Sequence, residues 1–182
     1  MSVTVQSTTY SAAPSAAYAG MIVGNDYETI SMVNVEASAA MPFGRGVIFK
    51  ASNTTDQDAL VPSAEGDIVA GILAHSHAYE RSWTNAAGTV MGELSSAGLL
   101  PGAMLNVLRR GIIWVIAEDA VVPGDRLWVR CTAGGAGEVV GGCVPADEGT
   151  ETIPCSNQGV FLTTAAAGAL AQLQVDFTNS PT

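Results

Sequence analysis

The chain has 182 residues, of which 48% are hydrophobic and 13% charged, and this is enough for one domain with its own core. Seventeen acidic residues oppose seven basic ones, which gives a formal net charge of −10. We expect no nucleic-acid partner, because nucleic-acid binding needs clustered positive charge. We expect no membrane partner either, because no apolar run approaches the ~20 residues that span a bilayer and no basic, apolar leader opens the sequence.

The first twenty residues are small and polar, with isolated tyrosines and no sustained hydrophobic periodicity. We predict that residues 1–20 form an extended arm ahead of a β domain over residues 21–182. Two interpretations of the arm stay open. It is either a disordered leader or a strap across a neighbouring subunit, anchored by Tyr10 and Tyr18.

Short apolar runs separated by glycine, proline, asparagine and aspartate predict a mainly β chain from Met21 onward. The last run is the clearest, because Leu173, Val175 and Phe177 alternate with polar residues as a strand with one wet face requires. Many short strands with long links predict a compact β-sandwich or barrel-like single domain with long loops. The candidate strands are residues 29–35, 46–50, 68–74, 104–108, 111–117, 126–131 and 171–177.

The sequence offers little for chemistry. His75 and His77 would face the same way on a strand, but two ligands without a third at a recognisable spacing are a weak signal, so we predict no metal site and no cofactor. The carboxylates of residues 147–151 read as a solvated loop. The sequence contains no serine elbow or phosphate loop and nothing that supports a cysteine–histidine pair, so we predict no catalytic residues and no enzyme activity.

The cysteines are Cys131, Cys143 and Cys155, an odd number that does not indicate a disulfide framework. We predict free thiols that are buried or half-buried. A Cys143–Cys155 bridge in an oxidising medium is one alternative. Metal ligation is the other, although the CxxC spacing typical of metal sites is absent from the sequence.

Arginines and tryptophans supply the candidates for binding. Arg109 and Arg110 precede an apolar strand, where adjacent residues face opposite sides, so at most one can point to a given partner surface. A solvated strand edge and an interface ion pair both stay open. Trp114 and Trp128 lie in apolar strands and are predicted to be core or subunit-interface residues. Trp83 lies in a loop beside an arginine, which is the composition of an interface hot spot, although a loop packed on its own domain fits equally.

Four segments follow one another between the arm and the last strand. They are MPFGRGV at 41–47, AGIL at 70–73, VLRRGIIWV at 107–115 and VPGDRLWV at 122–129. This ordered set resembles the structural cement (capsid decoration) proteins of tailed bacteriophages. The resemblance runs over nearly the whole chain, but residues 79–98 and 131–155 match nothing in that pattern.

The resemblance implies a non-enzymatic virion protein that binds the outer surface of the phage capsid at contacts between major capsid protein subunits. There it would stabilise the shell against DNA pressure, after assembly in the host cytoplasm. The alternative function is a carbohydrate- or receptor-binding β module of the virion surface, with aromatic residues of the loops as stacking platforms.

We expect two partners, the major capsid protein and further copies of this chain. A homotrimer is favoured and a homodimer is the alternative, because a symmetric oligomer makes several contacts with the shell at once. The candidate residues for the capsid or subunit interface are Tyr10, Tyr18, Arg45, Trp83, Arg109 and Arg110.

Overall fold

Strands are the main regular structure of the described residues. The computed structural model describes residues 17–50, 57–75, 94–95 and 98–178. Within these ranges the only helical element is a 3-10 turn, Gly149–Glu151, and no helix there is long and apolar enough to cross a membrane. The strands are β1 (Ile22–Asn34), β2 (Gly46–Phe49), β3 (Asp58–Leu60), β4 (Val69–Ala74), β5 (Leu94–Ser95), β6 (Gly98–Leu99), β7 (Met104–Ile116), β8 (Trp128–Arg130), β9 (Cys143–Val144), β10 (Thr152–Pro154), β11 (Gly159–Phe161) and β12 (Leu170–Asp176).

The long strand β7 organises the main sheet, whose order is β1-β3-β2-β4-β7-β12-β11. One edge of β7 pairs with β1, and the other pairs first with β4 and then with β12. Because β1 also pairs with β3, five strands close into a ring in the order β1, β3, β2, β4 and β7. A separate sheet has the order β10-β8-β9. The mainly β prediction of a compact single domain is confirmed, with a barrel-like ring extended by further strands.

Two hydrophobic cores lie on the two sides of the ring wall. The strand β4 is buried along its whole length, since Leu73 packs in one core and Ile72 in the other. The first core takes side chains from all five ring strands, among them Met32, Val47, Ala59, Leu73 and Val107. The second core joins the ring wall to β11, β12 and the three-stranded sheet, through residues that include Ile48, Ile72, Leu108, Val129, Phe161 and Leu173.

The predicted strands 104–108 and 111–117 form one continuous strand, β7, which contains a β-bulge between them. Leu108 pairs with Thr29 of β1, but Arg110 already pairs with the preceding residue Glu28, so one extra residue stands on β7. An extra residue reverses the alternation of the side chains that follow it. In a regular strand, residues 108 and 113 would point to opposite faces. Because of the bulge, Leu108 and Ile113 both pack in the second core, while Val107 packs in the first.

Other boundaries differ from the predicted ones because pairing across the chain decides them. The strand β1 begins at Ile22 rather than at residue 29, since its first residues pair with Ile112 and Ile113 of β7. The predicted strand 126–131 is reduced to Trp128–Arg130, which lies between two strands of only two and three residues. The predicted strands 68–74 and 171–177 agree with β4 and β12 to within one residue at each end.

Candidate functional site

The chain enters the domain beside β7. The Gly20 amide donates to the Trp114 carbonyl at 2.7 Å, and the Gly20 carbonyl accepts from the His75 amide at 2.8 Å. The ring of Tyr18 lies edge-on to His75, 4.8 Å between centroids, and Tyr18 keeps 42% of its surface exposed. The last residues of the predicted arm are thus attached to the sheet, while Tyr10 lies outside the described residues.

His75 also packs against Phe43, with ring centroids 4.6 Å apart. The structure therefore places His75 in an aromatic cluster with Tyr18 and Phe43. The second histidine, His77, and the loop residue Trp83 lie outside the described residues, so the interpretations given to them stay predictions.

The two adjacent arginines of the bulge have different surroundings. Arg109 is half-buried, donates to the Phe177 carbonyl at 2.5 Å and lies 5.9 Å over the Phe49 ring. Arg110 is exposed and pairs with Asp26, 3.2 Å between Nη2 and Oδ1. Arg109 thus supports the fold, and Arg110 presents its charge to solvent.

A short protrusion accompanies the bulge on the neighbouring strand. Between the pairs Val23–Ile112 and Glu28–Arg110, residues 24–27 of β1 stand opposite Gly111 alone. Gly111 has a φ of 135°, and a β-carbon added there would come within 2.9 Å of the Tyr27 β-carbon. Tyr27 thus lies close to Gly111 and keeps 48% of its surface exposed. Sequence reasoning missed this tyrosine, although a tyrosine directly after Gly24-Asn25-Asp26 could have indicated an exposed aromatic residue at a turn.

Acidic groups flank Arg110 on both neighbouring strands. Glu28 pairs with it on β1, and Asp176 pairs with it on β12. The hydroxyl and amide of Thr178 both donate to the Asp176 carboxylate and lower its pKa, with smaller contributions from the charges of Arg110 and Arg109. Asp176 therefore stays an anion next to Arg110 well below neutral pH.

The part of the main sheet beyond the bulge has one face outside both cores. Residues directly opposite each other in an antiparallel pair point to the same face. Trp114 therefore shares a face with Gln172, and Ile112 shares it with Gln174. Every residue of this face is half-buried or exposed, and none belongs to either core. We call it the neutral face, made of Val23, Ile112, Trp114, Ile116, Val160, Leu162, Leu170, Gln172 and Gln174.

The three-stranded sheet, in contrast to the neutral face, carries a cluster of buried charged side chains. Glu118 accepts from Arg45 Nη1 at 3.0 Å and from Arg130 Nε at 2.5 Å, and the Val139 amide also donates to it at 2.8 Å. The Arg130 side chain is only 2% exposed. Arg45, predicted to lie at an interface, is thus held in an ion pair within the chain.

Three more carboxylates surround Arg130. Glu148 lies 2.9 Å from Nη2, while Glu138 and Glu151 lie 3.6 and 3.7 Å from Nη1. Two glutamates of the predicted solvated loop therefore pair with a buried guanidinium instead. The amides of Gly134 and Gly135 donate to Glu138 and, with the charge of Arg130, lower its pKa. We call this cluster, with Arg45 and Glu118, the acidic end; its four carboxylates outnumber its two guanidiniums.

The carboxylate oxygens of Glu138, Glu148 and Glu151 lie within 4.8 Å of one another, a spacing that a metal ion could bridge. Arg130 already lies among them and supplies positive charge. The three glutamates thus form a salt-bridge network with Arg130, whose buried positive charge offsets the repulsion between the carboxylates.

All three cysteines are buried free thiols, as the sequence predicts. Burial raises the pKa of Cys143 and of Cys155 to about 12. Cys143 lies on β9 and Cys155 follows β10, on opposite sides of β8. Both thiols lie in the second core, and the Cys143–Cys155 bridge in an oxidising medium stays a prediction.

Comparison with known proteins adds one match. Residues 5–176 match the sequence model of a family described as structural cement protein (E217 gp24/Pam3 gp6). The match begins inside the predicted arm and ends at the last residue of β12. No curated protein matches the chain.

Proposed function

Because the chain belongs to the structural cement protein family of phages, we propose that it binds the outer surface of an assembled capsid at contacts between major capsid protein subunits. Membership of the family makes it a structural component of the virion capsid and confirms the resemblance seen in the sequence. The family match over residues 5–176 is the observation that carries the proposal. The proposed role is to hold neighbouring subunits together against the outward pressure of packaged DNA.

The distribution of charge supports a protein surface as the partner. The chain carries a net charge of −10, and its acidic end has more carboxylates than guanidiniums. Such a surface complements basic patches on a shell and is repelled by the DNA inside it. The acidic end is therefore the described surface best suited to a basic region of the major capsid protein.

The predicted contact residues divide into two groups. Tyr18 and Arg110 are exposed and can reach a partner directly. Arg45 and Arg109 make contacts within the chain and would act by holding the surfaces in place. Tyr10 and Trp83 complete the proposal as contacts from the arm and from the loop.

Multivalency would let a small domain bind the shell tightly. A homotrimer, or alternatively a homodimer, would present two or three copies of each contact to different capsid subunits. Weak contacts then combine through effective concentration, so the shell cannot expand locally without breaking several of them together.

Co-sedimentation tests the proposal. Purified protein is mixed with expanded heads of its phage that were assembled without it, both empty and filled with DNA, and the bound copies are counted. We expect saturable binding at a fixed stoichiometry and retention of DNA to a higher temperature than in undecorated heads. Heads that bind no protein would overturn the proposal, and specific binding in a glycan array would then support the carbohydrate-binding alternative.

Two variants separate the contacts. Deletion of residues 1–16 removes none of the described residues and is expected to lower occupancy if the arm is a strap. Arg110→Ala removes an exposed arginine, and Arg126→Ala, an exposed arginine whose one described hydrogen bond is 3.4 Å long, is the matched control. Unchanged occupancy after the deletion would exclude the strap, and equal effects of the two arginine variants would exclude Arg110 as a contact.

A further inference from the structure

The neutral face has the composition of an interface core. Its central residue is Trp114, flanked across the strand pair by Gln172 and neighboured by Ile112 and Ile116. The cores of protein interfaces are enriched in aromatic residues and depleted in charged ones, and they are bordered by polar rims. Here the rim is present as well, since Arg110 and Asp176 are paired at one end of the face.

The neutral face carries no carboxylate among the described residues, and Arg126, which pairs with Val160, places one arginine at its border. The sequence has no ionisable side chain other than Cys155 from residue 152 to residue 175 and none from 111 to 117. These two stretches hold β10, β11, all of β12 but its last residue Asp176, and the second half of β7. The same chain places seven acidic residues and two arginines between residues 118 and 151. The two stretches that form much of the neutral face thus lack carboxylates, whereas the segment between them in the sequence is strongly acidic.

We propose that the neutral face binds the neutral face of a second copy of this chain about a two-fold axis. Two copies each carry a net charge of −10 and repel one another, so they approach most easily where neither presents a carboxylate. A basic partner would favour the acidic end instead. The charge distribution therefore assigns the neutral face to a like-charged partner, which is another copy of the chain.

The register of β7 with β12 makes the face self-complementary. An axis that runs along the strands between β7 and β12 carries each β7 position of one copy onto the paired β12 position of the other. Trp114 would then lie over the amide of Gln172, and Ile112 over Gln174. At the rim, Arg110 of each copy would meet Asp176 of the other, an opposite charge. A contact of this symmetry closes on itself as a dimer, so this inference favours the homodimer, the alternative given above, over the homotrimer.

Sedimentation velocity of the full chain over a wide range of concentration tests the inference. We expect a reversible dimer whose affinity rises with salt, because salt screens the repulsion between the two negative copies. The test needs no capsid, so its outcome is independent of the proposed binding to the shell.

Isosteric charge variants locate the contact. Gln172→Glu together with Gln174→Glu places carboxylates against apolar residues of the other copy and is expected to weaken the dimer about 100-fold or more. The matched control is Gln57→Glu, on an exposed residue before β3, which should leave the dimer unchanged. A dimer or trimer that the double variant does not weaken would overturn the inference.

A tryptophan pair gives a second readout that does not add charge. Trp114→Thr should weaken the dimer, while Trp128→Thr, on a half-buried tryptophan of the three-stranded sheet, should not. A wild-type protein that stays monomeric at every concentration overturns the inference. If Trp114→Thr then lowers the melting temperature more than Trp128→Thr does, another part of the same chain covers the face.

Discussion

The acidic end and the rim of the neutral face each contain an arginine–carboxylate pair, and the two pairs have nearly the same length. Arg45 and Glu118 lie 3.0 Å apart with side chains 13% and 5% exposed, whereas Arg110 and Asp26 lie 3.2 Å apart with side chains 51% and 94% exposed. Water screens the second pair and is largely excluded from the first. Distance alone therefore says little about what either pair contributes to stability.

The difference also separates two uses of charge in one small domain. In the acidic end, ion pairs hold together loops that carry little regular structure, between β8, β9 and the 3-10 turn. At the neutral face, the charged residues lie at its borders, and the hydrophobic residues between them are half-buried or exposed. The first arrangement stabilises the fold, and the second leaves hydrophobic side chains half-buried outside both cores.

Removal of the central cation of the acidic end should have the largest effect. Arg130→Met leaves Glu118 buried with one cation fewer and three further carboxylates close to one another. We expect a loss of about 3–5 kcal/mol in the free energy of unfolding, because breaking a buried pair leaves an uncompensated charge. Urea denaturation measures it, with Arg126→Met, an exposed arginine, as the control that should change stability by less than about 0.5 kcal/mol. Equal effects of the two variants would show that burial does not govern these pairs.

Crowding the same cluster should have the next largest effect. A β-carbon on Gly142 would collide with the Glu118 carboxylate and approach Arg45 Nη1 to 2.9 Å. We expect Gly142→Ala to destabilise the domain by about 1–3 kcal/mol, the range for overpacking of a tight site. Thermal unfolding measures the change. Gly66→Ala is the matched control, because a β-carbon there meets nothing within 4 Å; a Gly142→Ala variant as stable as Gly66→Ala would place the cluster in a looser environment than the structure shows.

The sequence predicts much of the main sheet but little of the acidic end. The strand β12 follows from its alternation of apolar and polar residues, and β4 follows from a short apolar run between turn residues. The ion pair between Arg45 and Glu118 joins positions 73 residues apart, so no local pattern indicates it. Arg130 lies in a predicted strand, yet its burial depends on four glutamates gathered from three other segments.

The neutral face stands between these two cases. The sequence predicts Trp114 as a core or interface residue, and the structure leaves it half-buried on a face outside both cores. The bulge at Arg109 reverses the side-chain alternation of β7 and decides which residues reach this face. A bulge depends on the neighbouring strand, and so it could not be predicted from the alternation of β7 itself.

Lowered pH should affect the acidic end gradually. The pKa of Glu138 lies below its ordinary value of 4.5, because two backbone amides and Arg130 favour the charged carboxylate. A group with a lowered pKa in the folded state stabilises the fold above its unfolded pKa, and this contribution is lost as the pH falls through the folded pKa. We therefore expect the free energy of unfolding to fall below about pH 4.5 and to fall less steeply in Glu138→Gln. The control is Glu65→Gln, in an exposed turn, and a slope that both variants share would contradict the role of Glu138.

The exposed pair at the rim should have the smallest effect. A double-mutant cycle with Asp26→Asn and Arg110→Gln should give a coupling energy below about 0.5 kcal/mol, because solvent screens the charges and fixing two mobile side chains costs entropy. Chemical denaturation of the four proteins in low salt measures the coupling, and Arg45→Gln with Glu118→Gln provides the buried counterpart at nearly the same distance. The first cycle should lose its small coupling when salt is added, and the second should keep most of its coupling because water and ions reach it poorly. Equal couplings in the two cycles would mean that the distance between the charges, rather than their exposure, sets the strength of these pairs.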